Sequence, residues 1–92
     1  VNGTRLGRVV ITRLPPGSRI LPHKDVMGAY AAYYTRFHIV LQGLPGVLFR
    51  VEDETVQMRT GDLYWFDAFG EHEVTNKSDD DRVHLLVDVR IE

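Results

Sequence analysis

The stretch EHEVTNKSDDDRVHLLVD, residues 71–88, carries the reading of this chain's fold. Its two ends alternate side chains with the two-residue period of β-strands. Between them lies Asn76 to Asp81 (NKSDDD), a run of turn-forming residues. The stretch therefore predicts a β-hairpin, with His72 near the start of one strand and Arg82 at the start of the next. Pairing about the centre of the turn puts Arg82 roughly opposite Thr75. That is about 10 Å along from His72, at about 3.3 Å per strand residue. A metal on His72 and the guanidinium of Arg82 would then hold the two ends of one small diacid.

Outward from this stretch, turn signals cut the chain into short extended pieces. Gly7 to Leu14 (GRVVITRL) is rich in β-branched residues, and Pro15 to Ser18 turn the chain. Arg19 to Asp25 (RILPHKD) is a shorter extended piece. Val26 to Tyr33 (VMGAYAAY) is too short for a stable helix and reads as a loop or lid. Tyr34 to Leu41 (YTRFHIVL) alternates, with Thr35, Phe37, Ile39 and Leu41 on one face and Tyr34, Arg36, His38 and Val40 on the other. Val47 to Val51 and Thr55 to Arg59 form a hairpin about Glu52, Asp53 and Glu54. Leu63 to Phe66 (LYWF) is an apolar strand. About eight short antiparallel strands in this order predict an all-β double-stranded β-helix, a jelly-roll or cupin-type barrel able to hold a small ligand.

Ninety-two residues suggest one domain over residues 1–92, with a modest core. A hydrophobic content of 43% and a charged content of 26% are ordinary for a globular chain. The net charge of −2 offers no basic patch for nucleic acid. With no cysteine, disulfides and thiolate metal sites are excluded. No apolar run is long enough to span a membrane as a helix. No targeting pattern is visible, which makes the cytoplasm the expected compartment. The chain does not begin with Met, so it is processed or an excerpt of a longer one.

Three groups of residues can carry chemistry. His23 and Asp25 form a His-x-Asp pair, which an extended backbone turns to one side. With His72 they make the two-histidine, one-carboxylate facial triad of non-haem Fe(II) oxygenases, which leaves coordination positions open. The plain alternative is a surface histidine and a turn aspartate after Pro22. Arg36 and His38 share a strand face with Val40, a poor solvent residue. If that face turns inward, the arginine needs an anion such as a bound carboxylate, because an unpaired buried charge costs several kcal/mol. Arg82 is either an anion-binding group or a turn residue beside Asp79, Asp80 and Asp81. His84 is better read as a packed or hydrogen-bonded wall residue than as a ligand. Trp65, Phe66 and Phe37 are expected in the core. Tyr30, Tyr33 and Tyr34 either line a pocket or pack half-buried.

In combination these segments resemble the aspartyl/asparaginyl β-hydroxylase family. The resemblance is carried by PPGSRILPHKD, RFHIVLQG, GDLYWFDAFGEHEV and DRVHLLVDVR, and runs from about Val9 to Arg90. It implies a double-stranded β-helix oxygenase that uses Fe(II), O2 and 2-oxoglutarate to hydroxylate an unactivated C–H bond, releasing succinate. It also implies that His23 and His72 bind the iron. Asp25 matches a carboxylate present in some members and missing in others, closer here to the bacterial proline-hydroxylating branch. By the same resemblance Arg82 holds the distal carboxylate of 2-oxoglutarate, Thr12 assists it, and Arg36 and His38 contact the cosubstrate. The segment between Asp25 and Arg36 is this protein's own.

Two other functions use the same residues differently. A cupin-type metalloenzyme without a keto-acid cosubstrate would keep His23, Asp25 and His72 but has no need of Arg82. A non-catalytic β-barrel module would use the histidines structurally. For the oxygenase, the family's range allows an amino acid, a peptide or protein side chain, or an acyl group as substrate. Exposed edge strands in so small a barrel are expected to pair in a homodimer.

Overall fold

Runs of β-branched and aromatic residues, cut by Gly, Pro and Asn turns, give eight strands in the computed structural model, which describes residues 6–25, 33–66 and 70–90. In chain order they are β1 (Leu6–Leu14), β2 (Arg19–His23), β3 (Tyr34–Gln42), β4 (Val47–Val51), β5 (Glu54–Val56), β6 (Leu63–Tyr64), β7 (His72–Asn76) and β8 (Arg82–Arg90). They form two four-stranded antiparallel sheets, ordered β1-β8-β3-β6 and β2-β7-β4-β5. Consecutive strands alternate between the two sheets, except that β4 and β5 pair within one. This is the expected double-stranded β-helix. Among the described residues no helix is long and apolar enough to cross a membrane.

The strand bounds differ at several ends. The second extended piece stops at His23, leaving Asp25 beyond the ladder. The β4–β5 hairpin closes with Val51 paired to Glu54, so Glu52 and Asp53 make the turn and Glu52 takes a positive φ of 50°. Its second strand ends at Val56 rather than Arg59. The LYWF strand contains only Leu63 and Tyr64. The segment read as a loop or lid lies, apart from Tyr33, outside the described residues, and so does Tyr30.

The larger correction concerns residues 71–88. They do not form a hairpin. Both edges of β7 are taken, by β2 (Thr75 opposite Arg19) and by β4 (Thr75 opposite Leu48). Both edges of β8 are taken by β1 and β3, so Arg82 lies opposite Leu14 rather than Thr75. NKSDDD does turn the chain, but the turn passes from one sheet to the other. Asn76 holds that crossing. It is fully buried, and its Nδ2 donates to the carbonyls of Leu14 (2.8 Å) and Asp80 (2.9 Å). Its Oδ1 accepts from the Ser78 amide (2.9 Å) and hydroxyl (2.6 Å). Turn chemistry is local, whereas strand pairing depends on which ladder edges remain free.

The core lies between the sheets. Leu14, Val40, Val47, Phe49, Met58 and Val74 form it, with Phe66 and Tyr64 packed against it. Burying each large apolar side chain contributes about 1.5–3 kcal/mol. Trp65 is not core: it is 60% exposed and donates its indole N–H to the Thr35 hydroxyl (2.8 Å). Phe37 is half-buried on the outer face of β3, because Arg36, His38 and Val40 take the inner face. The inward turn of that polar row is what builds a site.

Candidate metal and anion site

The facing sheets enclose a cavity of about 180 Å³. One wall carries His23 and His72 with Ile20, Phe49 and Val74; the other carries Thr12, Leu14, Arg36, His38, Arg82 and Leu86.

His23 and His72 meet because β2 and β7 pair antiparallel, with the two histidines as cross-strand partners. The register slips by one residue between Ile20 and His23. Without that bulge Pro22 would sit opposite His72, and Pro22 has no N–H for the ladder. Bulges beside sites commonly re-aim a side chain in this way. Asp25, just past the strand, brings Oδ1 to 3.2 Å from His23 Nε2 and 3.4 Å from His72 Nε2. The ligand atoms of all three residues lie within 4.8 Å of one another.

These donors fit a first-row divalent metal. Adjacent ligands on an ion with bonds of about 2.1 Å stand about 3 Å apart, close to the spacings seen. Both imidazoles are also oriented for it. His23 Nδ1 lies 2.7 Å from the Leu21 carbonyl and His72 Nδ1 lies 2.8 Å from the Gly70 carbonyl. A carbonyl only accepts, so Nδ1 carries the proton and Nε2 keeps its lone pair toward Asp25. Phe66 (5.0 Å between ring centroids) and Phe49 (6.2 Å) pack on His72 and wall it from water.

Arg13, Arg36 and Arg82 all line the cavity, and the last two differ in kind. Arg36 donates from Nε and Nη2 to the two carboxylate oxygens of the buried Asp88, at 2.7 and 2.9 Å. The anion that an inward Arg36 requires is thus a protein carboxylate. Arg82 is only 4% exposed. Burial pushes its guanidinium pKa down to about 10. Among the described residues it has no carboxylate partner, and Nη2 donates to His84 Nδ1 at 2.9 Å. Of the expected turn partners Asp79, Asp80 and Asp81, Asp81 lies near Arg13 instead (3.5 Å). Thr12 is half-buried on the same wall.

His38 and His84 lie between these cations, with their Nδ1 atoms 3.3 Å apart. Burial, with Arg82 and then Arg36 adding repulsion, holds His38 down at about 4. Burial, with Arg82 and His38 adding, holds His84 at about 3. Both rings are therefore neutral near pH 7. His84 is fully buried and hydrogen-bonded, and lies outside the cavity lining. Tyr33 is exposed and sits against Arg90, whose guanidinium carbon is 5.5 Å from the ring centroid.

Asp88 and the ring of Phe49 complete the site beyond the residues singled out by sequence, and Phe66, expected only as core, lines the cavity as well. Asp88 could have been found: alternation along DRVHLLVDVR puts it on the inward row with Arg82 and His84. The two rings carried no signal distinguishing them from other core aromatics.

The fold and the paired walls define a class: a double-stranded β-helix in which a His–Asp–His cluster that could hold a metal faces a buried arginine. The family profile for aspartyl/asparaginyl beta-hydroxylase matches residues 1–91, and the chain belongs to that family. It is 29% identical over 90 residues to L-proline cis-3-hydroxylase 1 of a Streptomyces species, covering 96% of this chain and 31% of that protein. It is 31% identical over 78 residues to L-proline cis-4-hydroxylase of Rhizobium meliloti (strain 1021), covering 85% of this chain and 28% of that protein. The chain thus spans about a third of the length of these curated relatives. Among solved structures, it superposes on a Thermotoga maritima protein described as a predicted oxalate decarboxylase with TM-score 0.67 and 22% identity, covering 94% of this chain and 68% of that one. A cupin protein from Bacteroides fragilis gives TM-score 0.64 and 19% identity, covering 89% and 64%. These structural likenesses concern the fold alone.

Proposed function

We propose that this chain is the catalytic core of an Fe(II)- and 2-oxoglutarate-dependent hydroxylase. The observation that carries the reading is Arg82, a buried cation without a carboxylate partner among the described residues, facing the same cavity as the His23–Asp25–His72 cluster. A buried charge left without an anion costs several kcal/mol, and a ligand carboxylate removes that cost. A cupin metalloenzyme without a keto-acid cosubstrate gives Arg82 no task.

When bound, iron supplies the oxidising chemistry: 2-oxoglutarate, O2 and R–H become succinate, CO2 and R–OH. The remaining work belongs to this chain. His23 and His72 bind through Nε2, and the Leu21 and Gly70 carbonyls hold each ring in that tautomer. Asp25 binds through its carboxylate and offsets the charge of the ion. Arg82 binds the far carboxylate of 2-oxoglutarate, with the Thr12 hydroxyl beside it. Arg36, locked by Asp88, and neutral His38 shape the wall next to the cosubstrate. Phe49, Phe66, Val74 and Leu86 exclude water, which strengthens the polar contacts inside. The hydroxylated substrate is an amino acid or a group derived from one, in line with the proline hydroxylases the chain resembles.

The test is anaerobic titration of 2-oxoglutarate into Fe(II)-loaded protein, followed by the weak visible charge-transfer band of the chelated keto acid. The band should appear with native protein and vanish in His72→Ala. Iron binding without a band would remove the cosubstrate and leave a plain cupin metal site; no iron binding at all would make the cluster structural.

A further inference from the structure

His84 lies in the middle of β8, between Thr12 on β1 and Val40 on β3. It is fully buried and does not line the cavity. Its Nε2 has no hydrogen-bond partner among the described residues. An unpaired buried donor destabilises a fold, and a leucine at this place would carry no such cost. The polar atom that is used is Nδ1, 2.9 Å from Arg82 Nη2. A guanidinium has donors only, so Nδ1 must hold a lone pair, which puts the ring proton on the unpartnered Nε2. His38 Nδ1 approaches the same lone pair from 3.3 Å, a longer and weaker contact. His84 therefore accepts from Arg82 in one fixed tautomer.

We propose that His84 is a positioning residue that presets the guanidinium of Arg82 for a carboxylate, a role that rests on the function proposed above. A neutral acceptor is suited to this. A carboxylate at residue 84 would satisfy the arginine and compete with the ligand, as Asp88 satisfies Arg36. An apolar side chain would leave the arginine free to rotate, and ordering it would then weaken binding. The imidazole orients the cation and leaves its charge for the ligand.

The test compares His84→Leu with His84→Asn, in which the amide oxygen takes the place of Nδ1. Anaerobic titration of 2-oxoglutarate into Fe(II)-loaded protein should show affinity about tenfold weaker in His84→Leu, the scale of one lost hydrogen bond to a charged group. Iron affinity should be unchanged. His84→Asn should restore 2-oxoglutarate binding to within about threefold of native, a rescue that packing alone does not produce. Equal binding by native and His84→Leu overturns the role while the function above stands. So does a folded His84→Asn as weak as His84→Leu. Native protein that binds no 2-oxoglutarate overturns both. On native protein, long-range 1H–15N correlation spectra should show His84 protonated at Nε2 only; protonation at Nδ1 overturns the proposal whether or not the variants fold.

Discussion

Arg36 and Arg82 line the same cavity, yet among the described residues Arg36 has a carboxylate partner and Arg82 has none. Asp88 accepts from Arg36 Nε and Nη2, so the charge of Arg36 is countered within the fold. Arg82 is buried as deeply as core residues and meets a neutral imidazole. The difference assigns the two cations different tasks. An arginine paired with a buried carboxylate fixes a wall; an arginine held by a neutral acceptor keeps its charge for a ligand. Under the proposed function, one strand, β8, thereby serves both structure and binding.

The strongest way to break this comparison is at Asp88. Asp88→Asn should leave Arg36 buried without its counter-charge and destabilise the chain by about 3–5 kcal/mol, read by urea unfolding. A loss under about 1 kcal/mol would mean that Arg36 is not held by the pair. Arg82→Met should behave in the opposite manner. Stability should hold or rise, while 2-oxoglutarate binding weakens by about 2–5 kcal/mol, measured by the same anaerobic titration. Unchanged affinity would remove Arg82 from the ligand site.

The third effect sharpens the comparison through pH. His38 and His84 are neutral in the fold and bind protons more readily once unfolded, where their pKa is near 6.5. The unfolded state then carries more protons, so stability rises with pH across that interval. Metal-free protein should lose stability as pH falls from about 6.5 toward about 4, the folded value of His38. His38 alone accounts for on the order of 3 kcal/mol. Because Arg82 repels charge on both rings, the acid loss should be smaller in Arg82→Met. A steeper loss there would show that Arg82 does not contribute to keeping them neutral.

Much of the fold was legible because alternation and turns are local. YTRFHIVL showed that Arg36, His38 and Val40 share a face, and that face turns inward, with Arg36 and His38 on the cavity and Val40 in the core. The His-x-Asp pair pointed to one ion, and the three ligand atoms do gather. The hairpin of residues 71–88 was misread for an equally physical reason. A polar run shows that the chain turns, but says nothing of whether the flanking strands pair with each other. Trp65 was misplaced because an aromatic side chain looks alike in a core and on a rim.

By itself, then, the sequence determined where strands run, where they break, and which side chains can hold a metal or an anion. These follow from a two-residue period and from the chemistry of single residues. Only the tertiary structure decided that β7 pairs with β2 through a bulge that sets His23 against His72. It alone gave Arg36 a carboxylate from β8 and left Arg82 with an imidazole. Ladder partners and counter-charges come from residues distant in the chain, and the cost of burying a charge depends on what stands beside it after folding.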